Sequence, residues 1–524
     1  MKKYPIGIQT FSEVVGEGYF YVDKTKYVQK MAAEGKFYIL SRPRRFGKSL
    51  FLDTLRQAFL GNREPFQGLF LEHNWDWETK YPVLKLSWGA GVLRSPDELR
   101  SVFTDRLRNW SDSESIELKS ESLKERFAEL IENLHLRHNR KVVVLVDEYD
   151  KPILDNIAKS DVAVAMREEL NNLYSVLKDA DEHLKFVFIT GVSKFSKVSL
   201  FSGLNNIEDI SHSPGYGALC GYTQAELESV FAPALEGVAL AEVKRWYNGY
   251  RFAEEEGVYN PFDVLLYLKT REFRNYWFET ATPTFLIELL AQKRFAVPDL
   301  ESITASEEIL GAFELEKLSL ATLLFQTGYL TIDSVTDRGG ALRYRLRLPN
   351  QEVKQSLSNH LLTYFVDEME VKLPNQDRLW DALHASDLDR FREVFQGFFE
   401  SIPFEWYTKN RMASYEGYYA SIFYCYFTAM GLDTHPEEST SHGRLDMAVR
   451  MEHATFVFEF KVVDLVKDTN PALEQIRAKG YHKKYLGQTR PDGQARPVYL
   501  VGVEFHAQER NIVRLQWEKV DQDV

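Results

Sequence analysis

The run Arg42-Pro43-Arg44-Arg45-Phe46-Gly47-Lys48-Ser49 has the residue types of a phosphate grip. It follows the spacing Gly-x-x-x-x-Gly-Lys-Ser/Thr with one departure: Arg42 stands at the first glycine position. In such a loop Gly47 lets the backbone approach closely. Lys48 reaches the outer phosphates of a nucleotide, and Ser49 ligates the accompanying Mg²⁺. Arg45, Gly47, Lys48 and Ser49 are the nucleotide-binding candidates, together with an acid about 100 residues downstream. That acid is Asp147, at the end of the apolar run Lys141-Val142-Val143-Val144-Leu145-Val146-Asp147-Glu148. Asp147 can hold Mg²⁺, often through water. Glu148 can polarise the water that attacks a γ-phosphate. A core strand ending in two solvated acids is the plainer alternative, and the upstream loop weighs against it. Thr190 and Ser193, beyond a further apolar run, either sense the γ-phosphate or simply end a strand.

A second constellation lies near the other end of the chain. Arg444-Leu445-Asp446-Met447-Ala448-Val449-Arg450 and Thr455-Phe456-Val457-Phe458-Glu459-Phe460-Lys461 largely alternate, and only four residues separate them. They should pair as a hairpin. With Arg450 opposite Thr455, Asp446 falls opposite Glu459, and Lys461 shares their face. Two acids can hold one or two Mg²⁺, which would polarise a phosphodiester and activate water. The lysine can position that water or stabilise the pentavalent phosphorus. Ordinary surface charges on a solvent-facing strand pair are the alternative. Glu416, on a helical stretch over 411–427, either faces the metal or is solvated. Gln475, on another over 471–485, contacts either the site or a nucleic-acid backbone. Arg477, Lys479, His482, Lys483 and Lys484 make that stretch basic, either as a phosphate contact or as a solvated face. His435 and His442 lie nearby and are weak candidates as ligands.

These residues need strand ends and helix starts to hold them. Phe37-Tyr38-Ile39-Leu40 precedes the loop and a helical stretch over 50–60 follows it, so a strand runs into a helix N-terminus. Runs over 81–88 and 184–191 complete a parallel sheet whose ligands sit at the C-terminal strand ends. Residues 1–230 therefore read as an α/β domain. From about residue 223 the pattern turns mainly helical, with helices over 223–230, 284–293, 310–326 and 377–399, and residues 231–400 form a mainly helical middle region. A hairpin turns at Asp337-Arg338-Gly339-Gly340. Residues 401–524 return to α/β.

Composition bounds the rest. A chain of 524 residues with 44% hydrophobic residues can build about three cores. The net charge of −13 argues against a globally basic nucleic-acid binder, though not against a local basic groove. Cys220 and Cys425 cannot form a disulfide framework and show no metal-ligand spacing, which fits a reducing cytoplasm. No signal-type segment follows Met1, and no apolar run is long enough to span a membrane.

Together these residues resemble two families. Residues 1 to about 230 resemble bacterial AAA-ATPase-like proteins. The resemblance is carried by Tyr21-Val22-Asp23-Lys24-Thr25, the Arg42–Ser49 loop, Val146-Asp147-Glu148-Tyr149-Asp150, Thr190-Gly191-Val192-Ser193 and Phe201-Ser202-Gly203-Leu204-Asn205-Asn206. In that family the arginine at position 42 need not mean a dead loop. The tail resembles the PD-(D/E)xK nuclease superfamily through Glu416, Gly443-Arg444-Leu445-Asp446, Glu459-Phe460-Lys461 and Gln475 to Tyr481. This resemblance implies a restriction-endonuclease-like α/β core of mixed sheet and flanking helices. It also implies metal binding by Asp446 and Glu459 with help from Glu416. Trp246-Tyr247-Asn248-Gly249-Tyr250 and Tyr259-Asn260-Pro261 look like segments of the same fused family and carry no assigned chemistry.

The expectation is an α/β chain with a P-loop ATPase domain and a nuclease-like domain. It hydrolyses ATP·Mg²⁺ and cuts nucleic acid, DNA in particular, with Mg²⁺ or Mn²⁺ at the nuclease site. Glu148, Asp446, Glu459 and Lys461 are the catalytic residues. Ser49, Asp147, Glu416, Asp446 and Glu459 are the metal ligands. A homo-oligomer would let a neighbour's arginine complete the ATPase site. The competing expectation is an ATP-dependent switch whose tail binds nucleic acid or protein without cutting.

Overall fold

The computed structural model describes residues 2–157, 159–193, 204, 206–252, 256–278, 296–307, 310, 319–365, 369–401, 416–436, 439–440, 443–444, 446–464 and 469–520. The helix expected over 284–293, residues 201–203, 205 and 411–415, and the single residues His442 and Leu445 lie outside them. The chain forms two compact units. One comprises Met1–Ala281 and Thr304–Asn350, the other Thr282–Ile303 and Gln351–Val524. The stretch 231–400 divides between them.

The first unit is built on five parallel strands: β1 (Phe37–Ser41), β2 (Val83–Ser87), β3 (Val142–Asp147), β4 (Leu184–Gly191) and β5 (Glu208–Asp209). Their order is β2-β3-β4-β1-β5. Every residue of β1 and β3 is buried, as continuous apolar runs require when helices cover both faces. Edge strand β2 buries only alternate residues. Strand β4 thus separates the strand before the phosphate loop from the strand that carries the acids. Helices α1 (Lys48–Phe59), α2 (Pro96–Glu114), α3 (Leu123–His138) and α4 (Ser160–Asp179) accompany this sheet. Ser95 and Ser122 start α2 and α3 by accepting the N–H groups of Glu98 and Glu125.

The helix Gln224–Val230 opens on a capping box, in which Thr223 and Glu226 satisfy each other's backbone N–H. Glu226 also accepts from buried Lys24 at 2.6 and 2.7 Å, while the Ala218 carbonyl takes a third bond at 2.7 Å. The Tyr21–Thr25 motif is thereby bolted to a segment about 200 residues away. A three-stranded sheet ordered β6-β8-β7 joins β6 (Ile303–Ser306) to the expected hairpin of β7 (Thr331–Arg338) and β8 (Ala341–Arg347). Gly339 and Gly340 make its turn with φ of 68° and 89°, the left-handed geometry of a two-residue hairpin loop.

The second unit contains α5 (Gln351–Phe365), α6 (Met369–His384), α7 (Leu388–Ser401), α8 (Glu416–Ala429) and α9 (Pro471–Lys479). The single helix expected over 377–399 is two, broken where Ser386 turns to φ 53° and Asp387 caps α7 through the Arg390 N–H. The stretch 471–485 also divides: α9 stops at Gly480 (φ 61°), and Tyr481–Tyr485 continues as a 3₁₀ turn. Strands are β9 (Asp433–Pro436), the short pair β10 (Ser439–Thr440) and β11 (Gly443–Arg444), β12 (Met447–Arg450), β13 (Thr455–Val463), β14 (Val498–His506) and β15 (Ile512–Val520). The mixed sheet runs β15-β14-β13-β12-β9, with only β13 and β14 parallel and α9 crossing between them.

One face of that sheet presents Phe458, Phe460 and Phe505 to aromatic rings of α7 and α8, including Phe391, Phe399, Phe423 and Phe427. On the opposite face Ala448, Val457, Val498 and Leu500 pack against Leu473 and Ile476 of α9 with Tyr481 and Tyr485. Among the described residues no helix is long and apolar enough to cross a membrane.

Gly502 decides how closely α9 lies on the sheet. A Cβ there would come within 2.4 Å of the Leu473 nitrogen and 2.7 Å of Asn470 Oδ1. Asn470 caps α9 and donates to the Gly502 carbonyl at 3.1 Å. Gly502→Ala should therefore lower stability in urea unfolding by about 1–3 kcal/mol, the usual range for overpacking. An unchanged midpoint would show that α9 is free to move off the strand.

Candidate functional site

In the first unit the phosphate loop leaves β1 and enters α1 at Gly47, whose φ of 91° suits glycine. Lys48 is buried and folds back on the loop, donating to the carbonyls of Arg42 and Pro43 at 2.9 Å each. Burial pushes its ammonium pKa down, and Asp147 partly offsets that. Asp147 ends β3, 4% exposed, and its Oδ1 has no hydrogen-bond partner among the described residues. A buried carboxylate oxygen left unmatched beside a lysine fits a cation or its water. Burial first, and then neighbouring Asp147, raises the pKa of Glu148.

The backbone here is held unusually. Among the described residues, Ser115, Asn139 and Arg271 take positive φ as helix C-caps, whereas Arg45 (67°) and Glu148 (52°) take it on the wall of a cavity. That cavity measures about 510 Å³, a volume suited to a nucleotide. Gly47, Lys48, Ser49 and Asp150 also line it, with Tyr21 and Phe262 on other walls. Gly89 leaves room for the acid, since a Cβ there would lie 2.9 Å from Glu148 Oε2.

Two expectations resolve toward structure rather than sensing. Thr190 Oγ1 donates to the Leu40 carbonyl at 2.9 Å, tying β4 to β1. Ser193 Oγ donates to Asp150 Oδ2 at 2.5 Å and is fully buried. Asp150, part of a motif in the sequence but given no role there, also accepts the N–H groups of Val192 and Ser193 and so shapes the exit of β4. Arg42 is equally structural. Its guanidinium donates to the Ser211 and Tyr216 carbonyls at 2.6 and 3.1 Å and lies 3.8 Å over the ring of Phe252.

In the second unit the hairpin has the expected register. Arg450 pairs with Thr455 and Met447 with Phe458, and Asp446 follows directly beyond this last pair. Asp446 Oδ2 accepts the Phe460 N–H at 2.8 Å. Lys461 Nζ lies 3.7 Å from Glu459 Oε1 and 3.6 Å from Glu416 Oε2. Glu416 Oε1 accepts the Val462 N–H at 3.4 Å. Glu416, in the first turn of α8, therefore joins the cluster. Gln475 does too, because its Nε2 donates to Glu459 Oε1. Tyr481 packs on the same sheet face, and burial and Glu459 push its hydroxyl pKa up.

The acid face differs from a solvent-facing surface, because α9 covers it. Glu459 is 1% exposed and its Oε2 has no hydrogen-bond partner among the described residues. Desolvation, then the charge of Asp446, raises its carboxyl pKa to about 8, against the opposing pull of Lys461. No three His, Cys, Asp or Glu side chains among the described residues sit close enough to hold a metal by themselves. The cluster is instead acids arranged around a lysine, with one unmatched oxygen that suits a cation. His435 is engaged elsewhere, with Asp433 at 2.8 Å and with Arg450. In the basic stretch, Arg477 is paired with Glu518.

Comparison with known proteins fits both sites. A family model described as predicted AAA-ATPase matches residues 5–201, and one described as PD-(D/E)XK nuclease superfamily matches residues 414–515. An uncharacterized protein in the vnfD 5′ region of Azotobacter chroococcum mcd 1 is 48% identical over 513 residues, covering 98% of each chain. The chain belongs to the AAA-ATPase-like family, with a PD-(D/E)XK nuclease-superfamily domain toward its C-terminal end. Both matched ranges contain the clusters just described. The AAA-ATPase-like match holds the loop, Asp147 and Glu148, and the nuclease-superfamily match holds Glu416, Asp446, Glu459, Lys461 and Gln475.

Glu459 gives a pH signature. Between its ordinary pKa near 4.5 and its folded value of about 8, the folded chain keeps a proton that the unfolded chain has released. Stability contributed by this group is present at low pH and lost as pH rises through that window. Glu459→Gln cannot titrate. In unfolding measurements from pH 5 to 8, the wild type should lose stability relative to this variant as pH rises, and Mg²⁺ should flatten the difference. Parallel pH profiles would show that Glu459 is charged throughout.

Proposed function

We propose that this chain binds and hydrolyses ATP with Mg²⁺ in its first unit and cleaves nucleic acid, DNA in particular, with its second. The observation carrying the nuclease reading is the convergence of Asp446, Glu459 and Lys461 on one covered sheet face, with Glu459 Oε2 unmatched.

In the ATPase site Lys48 would exchange the carbonyls of Arg42 and Pro43 for phosphate oxygens. Ser49 and Asp147 would hold Mg²⁺. Glu148, kept basic by its raised pKa, would take the proton of the attacking water. In the nuclease site Asp446 and Glu459 would hold the cation, with Glu416 at the helix start in support. Gln475 fixes one Glu459 oxygen and so directs the other. Lys461 would donate to the attacking water or neutralise charge at phosphorus. A divalent cation there supplies polarisation of the phosphodiester and a water of lowered pKa. ATP turnover would gate cleavage or move the chain along its substrate.

The absence of a three-ligand cage among the described residues favours a second reading, in which ATP drives a switch and the tail binds without cutting. One experiment separates them. Purified protein is incubated with plasmid and linear DNA, with and without ATP, in Mg²⁺ or Mn²⁺. The nuclease reading expects metal-dependent cutting that Asp446→Ala abolishes. It also expects ATP hydrolysis to fall at least 100-fold in Lys48→Ala, from the loss of positioned phosphate charge (about 3 kcal/mol). Intact DNA under every condition, with ATP hydrolysis retained, favours the switch.

A further inference from the structure

The first of the two segments without assigned chemistry, and residues that follow both, reach the phosphate loop. Phe46 of the loop meets the edges of Tyr250 and Phe252, with ring centroids 4.8 and 5.7 Å away. Phe252 also lies under the Arg42 guanidinium, and Phe262, just past Asn260-Pro261, lies 4.8 Å from the Arg45 guanidinium. Trp277 Nε1 donates to the Arg44 carbonyl at 3.1 Å across 233 residues of sequence. Gly328 closes the group, since a Cβ there would come within 2.7 Å of Pro43. Each residue from 42 to 46 therefore has a partner from outside the loop.

The pattern of carbonyls gives these contacts a purpose. The carbonyls of Arg42 and Pro43 are taken by Lys48, and that of Arg44 by Trp277. A trans peptide points its N–H opposite to its carbonyl. Trp277, by holding the Arg44 carbonyl, therefore turns the Arg45 N–H away from itself and fixes its direction. Arg44 and Arg45 both line the cavity. A nucleotide would draw Lys48 away from its two carbonyls, leaving Trp277 as the contact that keeps this peptide turned.

We propose that Tyr250, Phe252, Phe262 and Trp277 form a clasp of positioning residues that holds the phosphate loop in shape and presents the Arg45 N–H to the nucleotide, in place of the flexibility a first glycine would give. This rests on the ATP-binding reading. The clasp also accounts for the arginine at position 42: the side chain that replaces glycine is the handle by which Phe252 and the Ser211 and Tyr216 carbonyls grip the loop.

The test compares Trp277→Phe, which keeps a ring and loses the donor, with Phe252→Leu, which loses the ring, and Phe252→Tyr, which keeps it. Affinity for a fluorescent ATP analogue with Mg²⁺, KM and kcat for ATP, and the melting temperature without nucleotide are measured for each. Trp277→Phe and Phe252→Leu should weaken binding about fivefold to twentyfold, raising KM while kcat stays within about twofold. Phe252→Tyr should bind within about twofold of wild type. Lower melting temperatures with unchanged affinity overturn the proposal, as does a Phe252→Tyr variant as weak as Phe252→Leu. Wild-type protein that binds no nucleotide overturns the reading beneath the clasp, and the clasp with it.

Discussion

A carboxylate removed from water without a full set of partners is the constraint around which the second unit is arranged. Glu459 reaches that state because β13 is covered on both faces, by aromatic rings on one side and by α9 on the other. The charge is tolerable only because Lys461 and Gln475 meet it, and because one oxygen retains a proton or accepts a cation. Gly502 lets α9 close over the acid, and Asn470 caps the helix at the contact. The covering that makes the group expensive also excludes bulk water from it, which strengthens every electrostatic contact within the cluster.

The first unit meets the same problem with different means. Asp147 is buried at the end of a parallel strand, and Lys48 is the nearby opposite charge. Here the rigid parts are the strands, and the loop between β1 and α1 is fixed by contacts from far along the chain. Thr190, Ser193 and Asp150 have become the frame of β4.

Periodicity made much of this legible. Alternation in two short runs was enough to set the register of β12 on β13, because a slip of one residue would have turned Phe456, Phe458 and Phe460 away from their aromatic partners. Continuous apolar runs marked β1 and β3 as buried. Motif spacing brought out the loop, its acids, and both Glu416 and Gln475 as open questions. What periodicity does not carry is the cover over a face. Ala448 and Val457 read as ordinary strand residues whether water or α9 lies above them, so the burial of Glu459 was hidden. Phe252, Phe262 and Trp277 were hidden for a related reason: an aromatic residue in the sequence has no address, and these three act across long separations. The break at Ser386 leaves no mark in the sequence, because the apolar spacing continues through it into α7.

The bond from Lys24 to Glu226 bears on where this chain can be divided. The AAA-ATPase-like match ends at residue 201, a tempting place to stop an isolated ATPase fragment. Such a fragment would keep Lys24 and discard both the Glu226 carboxylate and the Ala218 carbonyl that accept from its ammonium, with the chain that helps to cover it. The ion pair and the cover over it are part of what holds the domain together, and both are lost with that segment. The contacts of the AAA-ATPase-like domain therefore run past the matched range, at least to the capped helix that carries Glu226.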